Sequence, residues 1–386
     1  MKKTLIALAA LGAMAGVAHA QSSVTLYGLV DVWAGQIKTN TATTPGTATT
    51  FGQVTNLKQT KIDPAGFNGS RWGMRVREDL GGGMAAIANL ESGFNADTGA
   101  SGQGGLLFGR RANVGLTGGF GTVTLGRNSS SYDDVSIDNA MMLQSIFDPS
   151  QSNNGPTAAQ AGGVLTSAGN AATFLGRYTS WVGYGTRFDN SVKYISPSFS
   201  GFSGSLMYAM GENKTATVGQ SSSVSANLKY ANGPLLVSGG YQSEGGTRTA
   251  SLKPALENAL LSVAYDLGVA KIGAGFNRAK FKDVTAPAVL GGGEFKAQKE
   301  VNLSVSVPVG AAVISAGYAQ SKGDTLGKSS GVGLQATYAL SKRTFLYTGF
   351  QSTKAYDKLA AAVSANGSGS VIGKTQTAAV GVQHKF

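Results

Sequence analysis

The 386-residue chain has no cysteine, so it can build neither disulfides nor thiolate metal sites. It has two histidines, His19 and His384, too few for the usual histidine-based triads and metal centres. Charged residues make up only 13% of it and prolines number 9, against 56 glycines. After the first twenty residues no apolar run approaches the ~20 residues that a membrane-crossing helix needs. A formal charge of +12 could suit nucleic acid, but no basic cluster interleaved with aromatics accompanies it. Serine, threonine, alanine and glycine dominate what remains.

The beginning of the chain carries an address. Lys2 and Lys3 precede an apolar stretch from Leu5 to Ala18, followed by Ala18-His19-Ala20. A charged start, a short apolar core and a small-residue cleavage site describe a secretory signal. Residues 1–20 are therefore expected to be removed, which takes His19 away and leaves a net charge of +10. Residues 21–386 then form one unit, with no linker or composition break.

That unit reads as a series of segments of about ten residues with period-two alternation. Val224, Ala226, Leu228 and Tyr230 alternate with Ser225, Asn227 and Lys229; Val301, Leu303, Val305 and Val307 alternate with Asn302, Ser304 and Ser306. Val332, Leu334, Ala336, Tyr338 and Leu340 alternate with Gly333, Gln335 and Thr337. Each is the signal of a strand with one apolar face. The last strand keeps the pattern to Phe386, where termini usually fray. Phe386, His384, Val382, Val380 and Ala378 share a face, as expected if the final residue belongs to a closed sheet.

Connections alternate between tight and long. Gly81–Gly83, Gly118–Gly121, Ser196–Gly201, Asn232–Pro234, Asp266–Gly268 and Pro308–Gly310 are short. Lys38–Gly69, Asn95–Gly105, Asn128–Gly176, Gly211–Ser223, Lys280–Gln298 and Lys354–Lys374 are long and polar. Such a rhythm predicts antiparallel hairpins with every long loop at one end, the asymmetry of outer-membrane barrels. A closed barrel is the only sheet a bilayer accommodates, because it has no unpaired edge. Counting segments gives about 16 strands. Tyr194, Tyr208, Tyr230, Tyr265, Tyr318, Tyr338 and Tyr347 lie near segment ends, the places for interfacial aromatic girdles.

Arg71, Arg75 and Arg77 share one parity while Trp72, Met74 and Val76 share the other. A charge facing lipid at mid-bilayer costs ~2–4 kcal/mol, so these arginines are expected to face a water-filled interior. The Arg110-Arg111 pair is ambiguous. Alternation with Phe108, Ala112, Val114 and Leu116 sends Arg111 inward. Arg127 shares parity with Val123 and Leu125 and so points outward. Arg177 and Arg187 have equal parity, with Asp189 and Lys193 alongside.

Val24-Thr-Leu-Tyr-Gly-Leu-Val-Asp31, Ser70-Arg-Trp-Gly-Met-Arg75, Gly109-Arg-Arg-Ala-Asn-Val-Gly-Leu116, Gly121-Thr-Val-Thr-Leu-Gly-Arg-Asn128 and the ending at Phe386 together resemble the general bacterial porins, in particular those of beta-proteobacteria. The resemblance covers essentially the whole mature chain. It implies an all-β, 16-stranded antiparallel transmembrane barrel with short periplasmic turns and long external loops. It implies a homotrimer in outer-membrane lipid that passes small hydrophilic solutes and inorganic ions, with no cofactor. One loop is expected to fold into the lumen as a constriction, here Asn128–Gly176. The resemblance favours Arg110 over Arg111 as lumen-facing, and both stay candidates. Arg71, Arg75, Arg110, Arg111 and Arg177 would line the constriction, facing Asp133, Asp134 and Asp138 at the start of the loop. A short helix over Ile137–Phe147 is expected there, with Met141, Met142, Ile146 and Phe147 packed inward. Phe386 resembles the family's mark for membrane assembly. An excess of lumen arginines over carboxylates predicts weak anion preference. Two alternatives remain: a substrate-specific channel for a dicarboxylate or sugar, for which Tyr27 and Trp33 give thin support, and a barrel enzyme, which would have to use His384.

Overall fold

The computed structural model describes residues 22–42, 54–150, 180–216, 218–246, 248, 253–284, 292–358 and 371–386. Nearly all secondary structure is strand. In chain order these are β1 Ser23–Ala42, β2 Val54–Pro64, β3 Arg71–Gly81, β4 Met84–Gly93, β5 Arg111–Gly118, β6 Gly121–Ser129, β7 Arg187–Ile195, β8 Phe202–Met210 and β9 Ser222–Asn232. They continue as β10 Leu235–Gly245, β11 Ala255–Asp266, β12 Lys271–Lys282, β13 Gln298–Val309, β14 Ala312–Gly323, β15 Gly327–Ala339, β16 Thr344–Lys354 and β17 Val371–Lys385. Every pairing is antiparallel; all join chain neighbours except that of β1 with β3 and the closure of β17 onto β1, from Leu29↔Lys385 to Thr41↔Val371.

Seventeen strands make sixteen staves. The long β1 pairs with β3 through Ser23–Leu29 and with β2 through Val32–Ala42, so β2 and β3 are two halves of one stave. The interruption, Ala65–Ser70, is gathered around a single carboxylate. Gly66, Phe67 and Asn68 donate their backbone N–H groups to Asp31. Tyr347 Oη donates to Asp31 Oδ1 at 2.6 Å and Gln383 Nε2 to Oδ2 at 2.8 Å. Backbone donors freed by the break thus find an acceptor, as buried groups must.

The alternation works inside out, as it does in membrane barrels. Leu228 is 60% exposed on the outer face while Ser225, on the opposite parity, is fully buried. Tyr194, Tyr208, Tyr265, Tyr318 and Tyr338 are exposed outside, as girdle positions require. Tyr347 is a correction. It shares parity with Gln351 and Thr353, points inward and is 3% exposed, held by Asp31 rather than by an interface.

Phe386 lies one residue beyond β17 and still pairs. Its N–H donates to the Gly28 carbonyl at 3.0 Å, and the Gly28 N–H donates to the Phe386 carbonyl at 3.1 Å. Its ring lies over Gly28, where any Cβ would collide with it. The glycine is the slot for the terminal ring.

The connection after β6 turns into the barrel. Residues Ser130–Ser150 form successive turns with N–H groups bonded three residues back, from Val135→Tyr132 to Asp148→Ser145. The expected helix over Ile137–Phe147 is absent. Ser136, Ser145 and Asp148 engage nearby backbone with their side chains, and Leu143 and Gln144 take φ of 56° and 55°, which competes with helix. The inward packing does form: Met142 and Phe147 are fully buried with Trp33, Ile37, Phe67 and Tyr347, and Ile146 packs against them.

Candidate pore constriction

The loop is seated along one half of the barrel wall by polar pegs. Ser131 N–H donates to Ser225 Oγ on β9, Asn139 Nδ2 to Ser262 Oγ on β11, and Met141 N–H to Ser304 Oγ on β13. Ser145 Oγ donates to Gln335 on β15, and Gln351 on β16 donates to the Asp148 carbonyl. Ile146 N–H reaches the Gly66 carbonyl at the stave break. The returning limb is held too: Val182 N–H donates to Glu300 Oε1 at 2.7 Å, and Gly185 N–H to Glu244 Oε1 at 2.6 Å.

Inward-facing glycines make room for this seat. A Cβ at Gly240 would meet Val135 at 2.9 Å, at Gly317 Met142 Sδ at 2.8 Å, and at Gly349 the Phe147 ring at 2.7 Å. At Gly333 it would run into the Phe147 carbonyl. Glycine lets two backbones approach at these positions, a role it has within strands.

The other half of the wall carries charge. Arg71 and Arg75 face the lumen from β3, as their parity requires. The Arg75 guanidinium stacks 4.1 Å over the Tyr27 ring. Tyr27 Oη donates to Glu91 Oε2 at 2.8 Å, and Arg110 Nε meets Glu91 Oε1 at 2.6 Å. Arg111 stands directly opposite Glu91 in the β4–β5 register, so its side chain leaves the sheet on the inner face. Arg110 precedes the strand and escapes its alternation, which lets both arginines of the pair reach the inner side. Arg127 points outward to Asp189 at 2.7 Å, as parity predicts.

Arg71 and Arg187 sit close enough to Arg110 for the three positive charges to repel one another. Among the described residues Arg71 has Asn68 Oδ1 at 3.5 Å and Arg187 has Thr186 Oγ1 at 3.0 Å as side-chain hydrogen-bond partners. Among the described residues no carboxylate lies within 4.0 Å of Arg71, Arg75 or Arg187. Arg177 falls outside the described residues.

The loop carboxylates are engaged differently. Asp134 pairs with Lys193 at 2.6 Å and Asp138 with Lys229 at 3.0 Å. Asp133 accepts from Tyr184 Oη at 2.8 Å. Burial pushes the Asp133 carboxyl above the usual aspartate range, while the Arg187 charge and the Tyr184 hydrogen bond pull the other way. The expected facing of arginine and aspartate is thus mostly a facing of lysine and aspartate; Arg110 is matched by Glu91, and Arg71, Arg75 and Arg187 stay without a carboxylate in ion-pair contact among the described residues. Lys193, Lys229, Glu91 and Arg187 complete the ring. Their signal in the sequence was parity: Lys193 alternates with Val192 and Tyr194, and Lys229 with Leu228 and Tyr230.

A closed sixteen-stave barrel with a charged loop folded into its lumen is the architecture of a diffusion channel. The chain matches the family described as Gram-negative porin over residues 7–358. It is 32% identical to outer membrane porin protein 32 of Delftia acidovorans over the full length of both chains. It is 34% identical to an outer membrane porin protein of Bordetella pertussis over 62% of this chain and 59% of that one. Its fold matches the anion-selective porin from Comamonas acidovorans with a TM-score of 0.72 at 26% identity, covering 95% of this chain and 100% of that one. The chain belongs to the Gram-negative porin family, and it forms a passive channel for small hydrophilic solutes and ions across the bacterial outer membrane.

Proposed function

We propose that this porin prefers anions, and that Arg71, Arg75, Arg110, Arg111 and Arg187 set the preference at the constriction. The supporting observation is the asymmetry of neutralisation. Asp134 and Asp138 are matched by lysines and Arg110 by Glu91, while among the described residues Arg71, Arg75 and Arg187 have no carboxylate within 4.0 Å. A ring of uncompensated charge in a narrow, low-dielectric passage concentrates the opposite ion. The anion-selective neighbour from Comamonas acidovorans supports the same sign. Arg177, which lies outside the described residues, joins this proposal through the family resemblance alone. We further propose that residues 1–20 are a cleaved signal, that the working unit is a homotrimer, as one barrel of the same fold from Vibrio cholerae is titled, and that Phe386 is an assembly signal.

Reversal potentials in a KCl gradient across a planar bilayer test the selectivity. The expected sign is that of chloride preference, reduced in the Arg71→Gln/Arg187→Gln double variant with single-channel openings retained. Cation preference in the unsubstituted protein would defeat the proposal.

A further inference from the structure

The inside of the barrel carries an apolar patch that a water-filled channel does not need. On the inserted loop Ile137 is 43% and Leu143 53% exposed, and on β14 Val313 is 36% exposed. Leu236, Pro308 and Val313 have the parity of Gly240, Ser304 and Gly317, whose positions meet the loop. They therefore point into the barrel and not toward lipid. Barrel interiors are otherwise polar, and apolar surface left exposed in one place marks a contact site.

These residues face one another across a cavity of about 730 Å³ between the underside of the loop and the wall. Ile137, Met141 and Leu143 line it from the loop, and Leu236, Pro308 and Val313 from the strands. The tight turns at Gly233-Pro234 and Gly268 form its rim, so it lies on the periplasmic side of the constriction. Ligand sites of this size are mostly apolar, with a few polar groups that fix orientation.

The charged groups of this cavity come in both signs. Asp138, Asp266 and Lys271 line it; Lys229 meets Asp138 at 3.0 Å, and Lys271 meets Asp266 at 3.1 Å. The arginine wall offers an excess of one sign, whereas here two cations answer two anions. A simple anion would face both carboxylates and a simple cation both ammonium groups, so neither gains from the pairs. A zwitterion is matched in both of its halves. Asp138 adds a second pointer: its Oδ2 is buried and has no hydrogen-bond partner among the described residues, which favours a ligand that brings a donor. We propose that this alcove is a transit subsite for small zwitterions with an apolar side chain, the class of the apolar amino acids. The charged head would sit at the ion pairs and the side chain against Ile137, Leu143 and Val313. This subsite depends on the barrel and its seated loop, not on the sign of the ion preference.

The test uses the full-length refolded porin in planar bilayers, with L-phenylalanine as the probe, and reads the concentration that halves the KCl conductance. In the unsubstituted protein that concentration should be about 10-fold lower for phenylalanine than for L-serine, which has the same charged head and no apolar group. Equal values for the two would overturn the proposal before any variant is made. Leu143→Ser/Val313→Ser should abolish the advantage of phenylalanine, with the serine value and the reversal potential unchanged. Leu143→Met/Val313→Ile should keep it, which separates apolar contact from folding. Asp266→Asn/Lys271→Gln, which leaves the net charge as it is, should weaken phenylalanine by about 3-fold, the scale of an exposed ion pair. Hydrocinnamate and phenethylamine keep the ring and only one of the two charges. Any block they cause should be the same in the parent and in Leu143→Ser/Val313→Ser. A loss for either as large as that for phenylalanine would mean that the alcove takes amphiphiles of a single charge, and the zwitterion assignment would fall.

Discussion

The two halves of the lumen wall are built from opposite materials. From β10 to β16 the inner face is mostly glycine, serine, asparagine and glutamine, with Glu244 and Glu300 engaged by backbone N–H groups of the loop, and it is shaped to receive a loop backbone. From β3 to β7 it is arginine, glutamate and tyrosine, shaped to stay in water. The first half uses its side chains for position, and the second keeps Arg71, Arg75 and Arg187 without a carboxylate within 4.0 Å among the described residues. A constriction needs both, because field strength at a pore depends on charges held still on one side and left uncompensated on the other. Substitutions should therefore sort by half: those in the seating half should disturb stability and the steadiness of the open channel, those in the charged half selectivity alone.

Gly333→Val should break the seating half most severely. Its side chain would occupy the space of the Phe147 carbonyl and approach Met142, whose Cε lies 2.9 Å from a Cβ at that position. Overpacking of this kind costs about 1–3 kcal/mol, and undocking the buried Met142 and Phe147 side chains adds about 1.5–3 kcal/mol for each one released. The expected outcome is a lowered thermal midpoint in detergent together with several fluctuating current levels where the parent has one. A single steady level at parental conductance would show that the glycine track does not seat the loop.

How much of this was legible in the sequence follows the range of each interaction. Period-two alternation placed the staves, the outward Arg127 and the inward Arg71 and Arg75, because side-chain direction in a strand is a local property. The last residue's role in closure was legible for the same reason. Tyr347's nearness to a segment end suggested an interface. What overruled that was Asp31, which is 316 residues away. The split of the second stave into β2 and β3 was likewise invisible, since Ala65–Ser70 looks like part of a long polar loop until Asp31 gathers its N–H groups. The expected helix failed because hydrophobic spacing was read without weighing Ser136, Ser145 and Asp148 as competitors for backbone hydrogen bonds. The partners of Asp134 and Asp138 were unreadable because loop-to-wall contacts depend on where the loop lies across the lumen.

Asp31 ties the two halves together, so its replacement should be the next largest effect. Asp31→Asn leaves an amide that can accept at one oxygen while its N–H₂ confronts donors from Gly66–Asn68, Tyr347 and Gln383. Hydrogen bonds to a charged group are worth about 1.5–3 kcal/mol, and the expected loss is about 2–3 kcal/mol in unfolding free energy. Because Ile146 bonds to Gly66, loosening the break should also raise current noise. Unchanged stability in urea titration would assign the cluster no structural weight.

The smallest effect should be a pH response where the halves meet. Asp133 lies on the seated loop but feels Arg187 across the charged wall, and burial holds its carboxyl above the ordinary aspartate range. In the folded protein it therefore takes up a proton at a pH where an unfolded aspartate is still ionised. Through that window the native state binds more protons than the unfolded one, so stability contributed by this group rises as pH falls and is lost as pH rises. Function should move with it: protonation removes the negative charge nearest Arg187 and strengthens anion preference. Reversal potentials taken from neutral pH down toward the ordinary aspartate range should thus shift further to chloride. Asp133→Asn should show the acid-like selectivity already at neutral pH and lack this part of the response. If it instead matched the parent at every pH, the uncompensated arginines would be acting without reference to the loop, and the contrast between the two halves would reduce to position alone.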